Sequence, residues 1–417
     1  MLTTANNHYQ HGRFDEAKAT YLDAVAADPS NVEALERLGT IALLENQSGE
    51  ARRLLGMALR QRPFYRRSWP FAADLEYRIA MTHYREDDFG GAAAWFRRAA
   101  GPIAIGPFRD LNALACQSAL LANGKSYALE GPDKTHIDFL TTDPLPVVEI
   151  SANGHGPLTF FIDTGAAEII LDREIASRVG AQLCGSLRSD YAGQKTAATG
   201  LGSVDSVKVG DLVVRHLPIH TLDVKAMSTE FGREIHGILG TRLLMHFLST
   251  IDYPNGTLTL HRLDSQSTAS SAARIKHGAA AVVPFLLAEM HCILARGSLN
   301  GLDPMLLFVD TGLANAGFTG SRAILQQAGI EVDWSKATTG IGGAGEVREA
   351  SFSVERLTLG VGANSVSEMD IRGVAMEGSV SILEGKLGFS VGGLISHQFF
   401  RKRSLTFDFS AMQLVLA

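Results

Sequence analysis

Phe160-Phe161-Ile162-Asp163-Thr164-Gly165-Ala166 decides the reading of this chain: three large apolar residues lead into an acid, and a hydroxyl and a glycine follow at once. The same order returns as Leu307-Phe308-Val309-Asp310-Thr311-Gly312-Leu313, 147 positions later (310 − 163). A chosen tripeptide turns up by chance at about one position in several thousand, so two copies behind apolar triplets point to an internal duplication. Each triplet reads as a strand buried on both faces. A carboxylate at the end of such a strand is costly to bury alone. Glycine lets the chain turn sharply and bring backbone N–H groups to the acid, and threonine supplies a hydroxyl that can brace the turn. Asp163 and Asp310 are therefore the candidate catalytic residues, with Thr164, Gly165, Thr311 and Gly312 as their supporting turns. Two carboxyls in contact cannot both ionise cheaply. One pKa falls, the other rises, and the pair holds one proton, ready for acid and base work together.

Two further features accompany each copy in the same order. The first is a glycine-rich segment, Thr199-Gly200-Leu201-Gly202-Ser203 and then Thr339-Gly340-Ile341-Gly342-Gly343. The second is an apolar element before a short helix and a strand, Gly237-Ile238-Leu239-Gly240 and then Gly393-Leu394-Ile395-Ser396. Asp252 and Asp408, 156 apart (408 − 252), close the following strands. Neither precedes Thr-Gly, so both read as structural. On these motifs, residues 141–417 resemble a tandem, single-chain member of the retropepsin-like and pepsin-like aspartic proteases, and are most similar to bacterial aspartyl protease-like proteins.

That resemblance implies a bilobal all-β acid protease fold and an aspartic-type endopeptidase. Water activated between Asp163 and Asp310 would hydrolyse a peptide or protein substrate, without metal or cofactor. It makes Gly200, Gly202, Gly340 and Gly342 candidates for flap hairpins over the cleft. With both motifs in one chain, a monomer suffices to build the site. The sequence departs from the family where Leu313 follows the second motif and where Ser396 replaces the counterpart of Gly240. These departures motivate an alternative, a weak or inactive peptide-binding adaptor; self-processing is a third reading.

The front of the chain carries a different repeat. Ala17 to Ala51 and Pro29 to Pro63 are both 34 apart (51 − 17; 63 − 29), and Asp88-Phe89 with Ala92 and Phe96 opens a third copy after an insertion around Trp69-Pro70. Small residues where helices would cross, with proline at the exit, resemble the tetratricopeptide repeat. Such repeats stack into a solenoid that can recruit a substrate or protein partner. The fold class expected is multidomain α + β, an all-α solenoid followed by the bilobal β unit. The expected divisions are helical repeats over 1–125, a connector over 126–142, lobe one over 143–264, a Ser/Ala-rich linker over 265–281, and lobe two over 282–417.

Composition narrows the function classes. The 417 residues carry a net charge of −6, with no basic tract to bind nucleic acid. No run of eighteen apolar residues offers a membrane span. Cys116, Cys184 and Cys292 are too few and scattered for a disulfide framework or a zinc site and read as buried small apolar residues. His236 and His397, near the apolar-glycine elements, read as structural or surface residues. The first repeat starts part-way through its opening helix, so an export leader preceding this sequence is expected. The compartment would then be periplasmic or secreted, and otherwise cytoplasmic.

Overall fold

A computed structural model describes the chain apart from residues 68, 103–106, 192–194, 266 and 377–378. Seven helices come first: α1 (Leu2–Gln10), α2 (Phe14–Ala27), α3 (Val32–Leu44), α4 (Ser48–Gln61), α5 (Ala73–Arg85), α6 (Phe89–Ala100) and α7 (Pro107–Leu121). The sequence marks their starts. Asn31 caps α3 by accepting from the Ala34 N–H at 3.0 Å, and Asp88 caps α6 by accepting from Gly91 at 2.9 Å. Ala17, Ala51 and Ala92 are fully buried where helices cross, which is why the 34-residue period selects small side chains there.

Among the described residues, the first Asp-Thr-Gly turn sits in an eight-stranded sheet that forms most of lobe one. At its centre His155–Ile162, which ends at Asp163, runs parallel to Gly237–Leu239, with Ile162 opposite Leu239. Lobe two repeats the arrangement, with Met305–Val309 parallel to Gly393–Ile395 and Val309 opposite Ile395. Matching elements accompany each central strand. Asp172 caps the helix Arg173–Arg178 and Ser321 caps Arg322–Gln327. Asn153-Gly154 and Asn300-Gly301 both turn at positive φ between paired strands.

The lobes are joined by strands. Phe247–Asp252 of lobe one pairs antiparallel with Ser404–Asp408 of lobe two, Thr250 facing Thr406. Asp252 and Asp408 end these strands and brace the turns after them, accepting from Asn255 at 3.1 Å and Ala411 at 3.0 Å. Their role is structural. The stretches expected to be connector and linker are also folded. Ala128–Glu130 pairs with Leu212–Leu222, and Lys134–Asp138 pairs with Thr257–Arg262. The Ser/Ala-rich stretch contains the helix Thr268–His277. Alanine favours that helix, its basic last turn suits the helix dipole, and Lys276 ties it to Asp408 at 2.7 Å.

The helical repeats pack directly on the β lobes, and one continuous apolar core runs from Ala5 to Leu416. The first helix of each pair contributes to this contact, joined by Phe14 of α2, whose ring meets Phe389 at 4.9 Å. Tyr9 of α1 meets Phe389 edge-on at 5.9 Å, α3 lies against Ala281–Ala288, and α5 reaches both lobes. Gln117 of α7 donates to the Gly202 and Ile219 carbonyls of lobe one at 3.0 and 2.9 Å. Much of the face expected to receive a partner is therefore occupied by the chain's own lobes. Near the insertion around Trp69-Pro70, Phe64, Tyr65 and Phe71 are exposed. Among the described residues, no helix is long and apolar enough to cross a membrane.

Candidate active site

Each Asp-Thr-Gly turn is held by its own lobe and by the other. The Asp163 N–H donates to Leu239 O at 3.1 Å and the Asp310 N–H to Ile395 O at 3.0 Å, which fixes each acid at the end of a central strand. The turns then cross. Thr164 N–H donates to Thr311 Oγ1 and Thr311 N–H donates to Thr164 Oγ1, both at 3.0 Å. The Thr164 hydroxyl donates to Val309 O at 2.8 Å and the Thr311 hydroxyl to Ile162 O at 3.3 Å. Both threonines are fully buried, so these four bonds satisfy groups that water does not reach.

The glycines serve space rather than backbone torsion. Neither Gly165 nor Gly312 has positive φ. A Cβ on Gly165 would lie 2.6 Å from Asp310 Oδ1, and one on Gly312 would lie 2.2 Å from Asp163 Cγ. Each glycine is therefore the floor on which the opposite carboxyl rests. Gly165 N–H donates to Asp163 Oδ1 at 2.7 Å and Gly312 N–H to Asp310 Oδ1 at 2.9 Å. Burial, and then the neighbouring Asp310, push the Asp163 carboxyl well above the usual carboxylate range. Burial also raises Asp310, but the Gly312 N–H and Asp163 oppose the rise. The pair can hold one proton between its two carboxyls.

The two departures from the repeated pattern meet in space. The Ser396 hydroxyl accepts from Leu313 N–H at 3.1 Å and lies 3.4 Å from Leu313 O. In lobe one a Cβ on Gly240 would come within 2.2 Å of Glu168 O. Lobe two makes room for a side chain at this position and uses its hydroxyl to hold the turn.

The flap reading needs correction. In lobe one the hairpin over the cleft is formed by Gln182–Tyr191 and Lys195–Val209, and its turn lies outside the described residues. Gly200 and Gly202 sit lower on its returning strand. There a Cβ would meet Thr221 Oγ1 at 2.3 Å and Gln182 O at 2.2 Å, so they serve close strand packing rather than a hinge. In lobe two Gly340 and Gly342 lie on the outgoing strand Thr338–Gly342, paired with Val347 and Gly345. The two Thr-Gly strings therefore belong to different strands, 36 residues after one acid (199 − 163) and 29 after the other (339 − 310). Repetition of a short string concealed the offset. The two hairpins touch, since a Cβ on Gly343 would lie 2.3 Å from Tyr191 Cδ1, and Lys386 of the helix Ser379–Leu387 pairs with Asp190 of the first hairpin at 3.0 Å.

Several neighbours escaped the sequence reading. Phe161 and Ala166 flank Asp163 in a second apolar cluster with Ile170, Leu222 and Ile238. His291 lies against the Gly165 backbone, and burial followed by the charge of Lys386 lowers its pKa to about 4; burial and His291 lower His220 likewise. The lone Arg242 within Ile238-Leu239-Gly240-Thr241-Arg242-Leu243-Leu244 was the available signal for a buried charge cluster, because an arginine in an apolar run needs a partner. His236 accepts from Thr159 N–H at 3.0 Å and His397 lies 3.3 Å from Asp143, both structural contacts. Cys292 is buried, whereas Cys116 and Cys184 are half-buried. Burial and the adjacent Cys116 push the Cys184 thiol up to about 12.

Residues 148–243, which contain Asp163 and Gly240, match the family model described as aspartyl protease, and residues 2–66 match a tetratricopeptide repeat model. The chain carries an aspartyl protease domain behind tetratricopeptide repeats. The protease match covers most of lobe one. Lobe two lies outside the matched residues and shares with lobe one the repeated turn and the strand pairing described above. No curated protein matches the chain. Among solved structures, the N-terminal domain of stress-induced protein-1 (STI-1) from C. elegans is similar at 19% identity, over 27% of this chain and 90% of that one, with a TM-score of 0.25.

Proposed function

We propose that this protein is an aspartic endopeptidase in which Asp163 and Asp310 act as a pair on one water. The observation that carries the reading is reciprocal placement, each carboxyl resting on the glycine of the opposite turn. Asp310 is the ionised member. It takes a proton from the water as the water oxygen bonds to the peptide carbonyl carbon. Asp163 gives its proton to the carbonyl oxygen, forming a neutral gem-diol. Asp310 then passes its proton to the amide nitrogen, the C–N bond breaks, and a diol hydroxyl returns a proton to Asp163. The buried apolar cluster of Phe161, Ala166 and Ile238 packs beside Asp163. Its partly exposed edge at Tyr191, Phe231 and Ala314 forms the apolar wall that would favour an apolar side chain beside the cut bond. The Ser396–Leu313 contact supports the enzyme over the adaptor, because it holds the second turn where the sequence departure suggested weakness.

Recruitment by the repeats is the second part of the proposal. It would use surface left free by the lobes, including the pocket of about 540 Å³ lined by Glu33, Glu36, Arg62, Arg66, Phe71 and Asp74. The test of the first part is digestion of a peptide mixture from acidic to neutral pH. Wild type should cleave with a bell-shaped pH profile. Asp163→Asn and Asp310→Asn should each abolish cleavage while remaining folded. Unchanged turnover in both variants sinks the assignment.

A further inference from the structure

We infer that α5 and the residues just after it belong to the active-site support: Tyr84 and Asp87, with Tyr127, position the catalytic turn of lobe one through Glu168 and Arg242. The inference rests on the peptidase reading of Asp163 and Asp310.

The path can be followed bond by bond. Behind Asp163, the Ala166 N–H donates to Asp163 O at 3.2 Å. The Ala166 and Ala167 carbonyls accept from Thr241 and Arg242 N–H groups, both at 2.9 Å, and Thr241 Oγ1 donates to Thr164 O at 2.9 Å. The turn is thus fastened to the 240–242 segment, and that segment is fastened to the repeats. Arg242 is fully buried; it donates to Asp87 Oδ1 at 2.6 Å and Tyr84 O at 3.2 Å. Glu168 is also fully buried, and it accepts from the Tyr84 hydroxyl at 2.8 Å and the Tyr127 hydroxyl at 2.9 Å. His246 stacks on Tyr127 with ring centroids 3.7 Å apart and closes the cluster.

A buried carboxylate keeps its place only when its acceptor sites are filled. Lobe one contributes Glu168 and Arg242, whose side chains lie 3.7 Å apart at closest approach. Tyr84 and Asp87 come from the repeats and Tyr127 from the segment after α7, so the protease lobe does not complete this cluster alone. The same helix also holds lobe two from behind. Tyr77 donates to Glu289 Oε2 at 2.8 Å and Arg85 to Leu287 O at 2.9 Å, just before His291 reaches the Gly165 backbone. One helix therefore grips both lobes, and both routes lead to the catalytic turn of lobe one.

The experiment uses the full chain with Tyr84→Phe, Tyr127→Phe and the double variant, each change removing a single oxygen. Misplacing the turn should lower kcat by roughly ten- to a hundredfold in the double variant and leave KM within about twofold, because the apolar wall is untouched. The Gly165 and Ala166 N–H groups, which favour the ionised form of Asp163, would be misaligned. The alkaline limb of the pH profile, set by loss of the Asp163 proton, should therefore move to higher pH. A purely structural cluster would lower melting temperature but leave kcat per folded molecule and the alkaline limb unchanged, which would overturn the inference. If the double variant does not fold, the single variants decide in the same way. Carbon-13 titration of aspartate carboxyls separates this inference from the peptidase reading. Wild type that cleaves nothing defeats the peptidase reading, whereas an unmoved Asp163 titration in folded variants defeats the positioning role.

Discussion

Gly312→Ala puts the smallest possible side chain where the Asp163 carboxyl rests. The added methyl would start 2.2 Å from both Cγ and Oδ1 of Asp163 and 2.5 Å from Oδ2, against an ordinary contact of at least 3.4 Å. The shortest contact therefore requires a shift of about 1.2 Å (3.4 − 2.2). Asp163 cannot simply swing away, because its Oδ1 is held by Gly165 N–H at 2.7 Å. A misplacement of about 1 Å at a reacting group costs about a hundredfold in rate, or about 2.7 kcal/mol of barrier. Backbone strain adds nothing, since φ at Gly312 is not positive. Overpacking should remove about 1–3 kcal/mol of stability, so melting curves must accompany the kinetics. Gly165→Ala starts at 2.6 Å from Asp310 Oδ1 and needs only about 0.8 Å (3.4 − 2.6), so it should be the milder variant. Initial rates on a cleaved peptide should show kcat lost and KM nearly unchanged. Folded Gly312→Ala with turnover within threefold of wild type would refute the packing argument.

Thr164→Val and Thr311→Val each strand a buried N–H of the opposite turn and should cost about 1–3 kcal/mol in urea unfolding. The double variant should cost about the sum, because each hydroxyl serves a different backbone N–H that valine leaves in place; a double variant no worse than either single one would count against two separate crossed bonds. Ser396→Gly removes the acceptor for Leu313 N–H and should lower stability by about 1 kcal/mol, with a smaller loss of kcat than either glycine variant. No loss of stability would leave the Leu313–Ser396 contact without a role. The pH dependence of stability has a definite sign. Asp163 is raised in the folded state, so its contribution is complete below the unfolded value of about 4 and is lost as pH rises through the folded value. Asp163→Asn should match wild type near pH 4 and gain on it at higher pH. His220 and His291, lowered to about 4, act oppositely, losing stability as pH falls below about 6.5, and cancel in that difference. A flat difference in the denaturation midpoints would contradict the raised carboxyl.

Much of the fold was legible because its signals are local. The 34-residue spacing, the caps at Asp88, Asp172 and Ser321, and the turns at Asn153-Gly154 and Asn300-Gly301 each depend on neighbouring residues. The acids were legible because Asp-Thr-Gly behind an apolar strand is rare. Long-range pairing was not legible. Thr199–Ser203 and Thr339–Gly343 share a string but occupy opposite strands of their hairpins. Gly165 could be read as a turn residue, yet its need is set by Asp310, 145 residues away (310 − 165). Ser396 and Leu313 looked like two defects because only folding makes them one contact. The repeats looked separable for a related reason. The charges that join Arg242 to Asp87 and the hydroxyls that fill Glu168 lie on segments far apart in the chain.

The most direct measurement is titration of the Asp163 and Asp310 carboxyls in aspartate-labelled protein by carbon-13 NMR, assigned with Asp163→Asn and Asp310→Asn. A shared proton predicts two separated, interdependent steps, with one carboxyl still protonated well above pH 4 and its step altered when the other acid is removed. Two independent titrations near pH 4 would contradict it.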